Sequence, residues 1–100
     1  MFVTVATTDE IKPGERMVFE VGRHWVVVFN VDGNYYALRD LCTHDDGPLA
    51  EGRLDGCEIE CPRHGARFDV RTGEVTAPPA VRPVPNYTVR VVGSEIQIEV

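Results

Sequence analysis

An all-β fold is what this 100-residue chain predicts, and three observations predict it. Short runs rich in β-branched and aromatic residues recur along its length. Turn signals built on Gly, Pro, Asn and Asp separate them. One segment alone, residues 7–11, offers even a single helical turn, with a threonine as its cap.

In chain order, residues 3–6, 16–21, 25–31 and 35–38 read as strands. Lys12-Pro13-Gly14, Gly22 and Asp32-Gly33-Asn34 punctuate them, the last as a hairpin turn. Residues 54–61 read as one strand in which Cys57, Ile59 and Cys61 share one face while Glu58 and Glu60 take the other. A further short strand is expected at 67–70, closed by Arg71-Thr72-Gly73-Glu74. The chain ends on a hairpin of 87–92 and 95–100, in which Ile96, Ile98 and Val100 alternate with Gln97 and Glu99. The first four and last two strands predict one basal β-part, about residues 1–40 and 71–100. A piece carrying two loops, about residues 41–70, is inserted into it. Residues 1–100 are thus expected to form one antiparallel β-sandwich domain with this insert, since a chain of this length holds one core.

Composition narrows the function. The hydrophobic fraction of 43% and charged fraction of 26% are those of an ordinary globular protein. Ten Lys plus Arg stand against sixteen Asp plus Glu, a net charge of −6 that argues against a nucleic-acid partner and suits a basic protein surface. No apolar run reaches membrane-spanning length, so no membrane partner is expected. Met1-Phe2-Val3-Thr4-Val5 lacks the basic segment and cleavage site of an export signal, which leaves a cytoplasmic location. Three cysteines in such a chain favour metal binding over disulfides.

The cysteines and histidines are paired. Cys42-Thr43-His44 and Cys61-Pro62-Arg63-His64 each offer one thiolate and one imidazole from a loop. Cys-x-His does not readily wrap one tetrahedral ion, but it spans two adjacent irons when the loop runs beside them. Gly47-Pro48, Pro62 and Gly65 permit the sharp turns this needs. Zinc is the chemical rival. It prefers Cys-x2-4-Cys or His-x3-5-His pairs; no such histidine pair occurs, and the one cysteine pair at that spacing, Cys57 and Cys61, lies along a strand. Colour separates zinc from iron, since an iron cluster is red-brown. Of the remaining candidates, Cys57 reads as a small buried hydrophobe, His24 as structural and Trp25 as core.

Extended to Cys42-Thr43-His44-Asp45-Asp46-Gly47-Pro48-Leu49 and Cys61-Pro62-Arg63-His64-Gly65-Ala66-Arg67-Phe68-Asp69, both segments resemble the cluster loops of Rieske proteins. The resemblance covers essentially the whole chain, and it is nearest to the free-standing ferredoxins of bacterial multicomponent oxygenases. It implies one Rieske-type 2Fe-2S cluster, with Cys42 and Cys61 on one iron and His44 and His64 on the other. Ala77-Pro78-Pro79-Ala80 resembles the proline loop that covers one side of such clusters. The role implied is a one-electron carrier, not an enzyme: a monomer passing electrons from a flavin-dependent NAD(P)H ferredoxin reductase to a terminal Rieske oxygenase. Asp45, Pro48, Arg63 and the proline loop would form the docking rim. The alternative is the small Rieske subunit of an assimilatory nitrite reductase.

Departures from the high-potential branch of that family are informative. Rieske proteins of cytochrome bc complexes carry an extra cysteine in each loop, joined as a disulfide, where this chain has Gly47 and Arg63. They also carry a serine and a tyrosine whose hydroxyls bond to the cluster sulfurs, where this chain has Ala66 and Phe68. Fewer donors, and Asp45 and Asp46 beside His44, predict a potential near the low end of the Rieske range, about −150 mV.

Overall fold

Val26, Val27, Val28 and Phe29 are all fully buried. Side chains alternate along a strand, so this is possible only where both faces of the strand are covered. In the computed structural model, which describes residues 1–100, these residues lie in β3 (His24–Val31), and each face serves a different core. Val26 and Val28 pack with Ala6, Ile11, Ala37, Ile96 and Ile98. Val27, Phe29 and Val31 pack with Leu38, Cys42, Leu49, Ile59, Cys61 and Phe68. The strand is therefore the partition between a core under the chain termini and a core under the cysteines.

Three antiparallel sheets surround it. The first takes β1 (Phe2–Thr7), β11 (Glu95–Glu99) and β10 (Val89–Val92) in that spatial order. The second takes β2 (Arg16–Val21), β3, β4 (Asn34–Arg39) and β9 (Asn86–Tyr87). The third takes β5 (Arg53–Asp55), β6 (Glu58–Glu60), β7 (Arg67–Asp69) and β8 (Val75–Ala77). The expected all-β class holds, and no helix of the chain is long and apolar enough to cross a membrane.

Four sequence expectations need correction. The run 54–61 is not one strand: Asp55-Gly56 turns it, with Gly56 at φ 61°, so that Leu54 pairs with Ile59 across a hairpin. The run 87–92 breaks at Thr88, because Tyr87 pairs with Ala37 in one sheet while Val89 pairs with Ile98 in another. Residues 7–11 close a hydrogen-bonded turn and no helix. The Thr7 amide donates to Glu10 Oε1 at 2.8 Å and the Glu10 amide to the Thr7 carbonyl at 3.0 Å. Fully buried Ile11 then pulls the chain down into the core. Trp25 is not core; it lies at the hairpin end of β3, opposite Glu20, and is 54% exposed. Strand β8, which pairs with β7, carries no alternation to announce it.

Candidate metal centre

The two cysteine-histidine segments fold into loops of the same design. In the first, the Cys42 amide donates to the Gly47 carbonyl at 2.7 Å and the Asp46 amide to the Cys42 carbonyl at 2.7 Å. In the second, the Cys61 amide donates to the Ala66 carbonyl at 2.6 Å and the Gly65 amide to the Cys61 carbonyl at 3.1 Å. Each loop is thus closed between its cysteine and the residues four and five places on. The second is the hairpin connection between β6 and β7, whose flanking Glu60 and Arg67 are paired.

Closure of this kind sorts the side chains. Cys42 and Cys61 point inward and are buried, with Leu49, Ala66 and Phe68, in the larger core. His44 and His64 are exposed. Their rings nevertheless meet edge to face, with centroids 5.0 Å apart and planes at 85°. The Sγ atoms of Cys42 and Cys61 and a carboxylate oxygen of Asp45 lie within 4.8 Å of one another, and His64 Nδ1 stands 3.5 Å from Asp45 Oδ2. All three cysteines are free thiols. Burial pushes the Cys42 thiol up from its ordinary range, against the pull of backbone amides at His44.

Asp45 and Arg63, expected on a docking rim, are bonded to each other. Arg63 Nε and Nη2 both bond the Asp45 carboxylate, the latter at 3.1 Å. Arg63 Nη2 also reaches the Pro48 carbonyl at 2.9 Å and Cys61 Sγ at 3.4 Å. The guanidinium, together with the Gly47 amide, holds the Asp45 carboxyl well below the usual carboxylate range. Asp45 is therefore a paired charge and not a bare one beside His44.

Three anchors escaped the sequence reading. The Asp40 carboxylate accepts the Leu49 and Ala50 amides at 2.7 and 2.8 Å, fixing the return of the first loop. Arg16, on β2, donates to the Ala50 carbonyl at 3.0 Å and also to that of Gly52. Thr43 Oγ1 donates to the Arg82 carbonyl at 2.6 Å while Arg82 Nη2 donates to the Thr43 carbonyl at 3.2 Å, which ties the first loop to the segment after the prolines. An aspartate just ahead of a loop is a recognisable turn signal; Arg16 and Arg82 have none, because their partners are distant in sequence. In the proline segment, Ala80 is buried in the larger core and Pro78 and Pro79 are exposed. Cys57 lies half-buried in the turn after Gly56, outside the grouped donors, and His24 is exposed.

Two buried free thiols beside two exposed imidazoles suit an iron–sulfur group better than zinc. The donors divide by type, the soft thiols sequestered and the borderline imidazoles outward, which fits a group that takes two cysteines on one iron and two histidines on the other. The family comparison agrees: residues 1–88 match the Rieske [2Fe-2S] domain. This chain belongs to the Rieske 2Fe-2S domain family. Similar members of it include ferredoxin components of dioxygenase systems. The chain is 38% identical over 99 residues to the biphenyl dioxygenase ferredoxin subunit of Pseudomonas sp. strain KKS102, covering 98% of this chain and 91% of that protein. The ferredoxin of carbazole 1,9a-dioxygenase from Nocardioides aromaticivorans IC177 superposes with a TM-score of 0.93 at 44% identity, covering 97% of this chain and 95% of that one. A ferredoxin seen in complex with the reduced oxygenase of carbazole 1,9a-dioxygenase superposes at a TM-score of 0.91 and 35% identity, covering 97% and 91% of the two chains. A nitrite reductase small subunit from Mycobacterium tuberculosis, at 22% identity and a TM-score of 0.86, shares the fold alone.

Proposed function

We propose that Cys42, His44, Cys61 and His64 hold one Rieske-type 2Fe-2S cluster, and that the chain carries single electrons from a flavin-dependent NAD(P)H ferredoxin reductase to a terminal Rieske oxygenase. When bound, such a group takes up and releases one electron. What supports the ligand set is one observation: two loops of like hydrogen bonding turn both thiols inward and both imidazoles outward, with the two rings in contact. Residues 41–70 are then the cluster-binding part and the remainder the base that holds it.

This chain's residues do the rest. The larger core keeps water from the thiols, since Cys42 and Cys61 are 0% and 1% exposed. The exposed rings of His44 and His64 place the shortest route for an electron at the surface, where a partner can approach. The carrier role follows from kinship with dioxygenase ferredoxins at 36–38% identity over nearly the whole chain. The nitrite reductase alternative rests on a 22% likeness, which carries the fold alone.

Iron and acid-labile sulfide analysis of the purified protein tests the cofactor; two of each per chain is expected. His44→Ala or His64→Ala should abolish the visible and paramagnetic signature of a Rieske centre, and Cys57→Ser should leave it intact. Loss of the signature in Cys57→Ser, or its survival in both histidine variants, would overturn the ligand set.

A further inference from the structure

No backbone hydrogen bond joins residues 42–48 to residues 61–66; each loop closes only on itself. All the hydrogen bonds that cross between them come from one side chain, Arg63, to the Asp45 carboxylate and the Pro48 carbonyl. Asp45 is itself set in place by its own loop, for its Oδ1 accepts the Gly47 amide at 3.0 Å. A planar guanidinium bonding a carboxylate through two nitrogens fixes orientation as well as distance. With side chains 34% and 17% exposed, the pair is partly shielded from water.

Gly47 completes the arrangement. A Cβ built there would lie 2.6 Å from Arg63 Cζ and 2.7 Å from Nη2, and no other atom stands as close to it. Its backbone is outside the left-handed region, so any residue could adopt its conformation. A side chain at this position would thus conflict with the guanidinium, which would have to shift, and not with the turn.

We infer that Arg63 is a positioning residue, an ionic strap that sets the spacing between the Cys42–His44 loop and the Cys61–His64 loop through Asp45, with Gly47 as the seat of its guanidinium. This deepens the reading that those four residues hold the cluster, and rests on it. The other polar approach across the gap, His64 Nδ1 to Asp45 Oδ2, is longer at 3.5 Å, so the strap governs how firmly two halves of one ligand set stay together.

The test measures the first-order loss of cluster absorbance in the presence of an iron chelator, for the intact protein and for Arg63→Met, Asp45→Asn, their double variant and Gly47→Ala. Each single variant should lose its cluster about fivefold faster, the scale of one partly screened ion pair. The double variant should be no faster than the quicker single, because both remove the same tie. Gly47→Ala, which keeps both charges and displaces only the guanidinium, should move in the same direction. Voltammetry supplies a readout that loosened packing would not produce: Arg63→Met should lower the reduction potential and Asp45→Asn raise it, though both speed cluster loss. Rates within twofold of the unmodified protein for Arg63→Met and Gly47→Ala would overturn the strap. So would multiplying effects in the double variant, or potentials that shift the same way. If Arg63→Met does not accumulate as folded protein, Gly47→Ala and Asp45→Asn decide alone. Should the unmodified protein purify without two irons and two sulfides, the ligand reading fails and the strap falls with it, whereas unchanged rates in a protein that holds two of each overturn the strap alone.

Discussion

Asp46 and Gly65 occupy the same place in the two ligand loops, four residues after the cysteine, and both are in the left-handed region, at φ 61° and 78°. Each donates its amide to the carbonyl of that cysteine. A left-handed residue there is what lets a chain bond back on itself and still send the next residue onward. Glycine adopts it freely; aspartate is among the few others that tolerate it.

The two positions should respond oppositely to substitution. A Cβ at Gly65 meets nothing within 4 Å, so Gly65→Ala carries only the conformational cost, about 1 kcal/mol. Asp46→Gly relieves that cost, and stability should hold or rise by a few tenths of a kcal/mol, less any entropy lost by the unfolded chain. Denaturant midpoints compare the two; equal losses in both would show that closure of the loops does not depend on this torsion.

Ala66 and Phe68, neither of which carries a hydroxyl, are fully buried in the core that holds Cys42 and Cys61. Ala66→Ser with Phe68→Tyr should supply donors that favour the reduced, more negative state. Taking the difference between redox states as about 1 kcal/mol per bond, the potential should rise by on the order of 50 to 100 mV. Protein-film voltammetry measures it. A shift under about 20 mV with the spectrum intact would mean the hydroxyls do not reach the sulfurs.

If the chain serves the proposed carrier role, its net charge of −6 would steer a basic partner surface toward it. The rate of reduction by the cognate reductase should therefore fall as salt rises from low to physiological ionic strength, since screening shortens the reach of exposed charges to about 8 Å. Stopped-flow mixing checks this. A flat profile would assign docking to apolar contacts such as those of exposed Pro48, Pro78 and Val81.

Asp69 accepts the Arg71 amide at 2.8 Å and its guanidinium at 2.9 Å, which lowers the Asp69 carboxyl below its ordinary range. A carboxyl depressed by folding contributes stability that is complete above its unfolded pKa, about 3.9, and is lost as pH falls through the folded value. Asp69→Asn should therefore be less stable than the unmodified protein at pH 6, with the gap closing toward pH 3. Thermal melts across that range measure it. A gap constant with pH would remove the ion pair as its cause.

Several features of this protein are local, and the sequence by itself determined them. Strands β2, β3 and β4 are legible because β-branched runs end at turn residues whose conformations are intrinsic. The pairs Cys42-His44 and Cys61-His64 are legible because spacing alone limits which donors one loop can offer. The split at Gly56 is equally local, written as Asp55-Gly56, but the alternation of Cys57, Ile59 and Cys61 competes with it and favours an unbroken strand. Tertiary structure decided the rest. Val27 and Val28 are chemically alike, and only the sheets packed on either side send one to the cysteine core and the other to the terminal core. Arg63 reads in sequence as an exposed charge near a ligand. It becomes a strap because β6 and β7 deliver it to Asp45, eighteen residues earlier in the chain. Interactions within a few residues are set by local geometry and survive into any fold. Contacts between distant residues exist only after the backbone has closed the loop between them, at an entropic cost that grows with its length, so no short stretch of sequence records them.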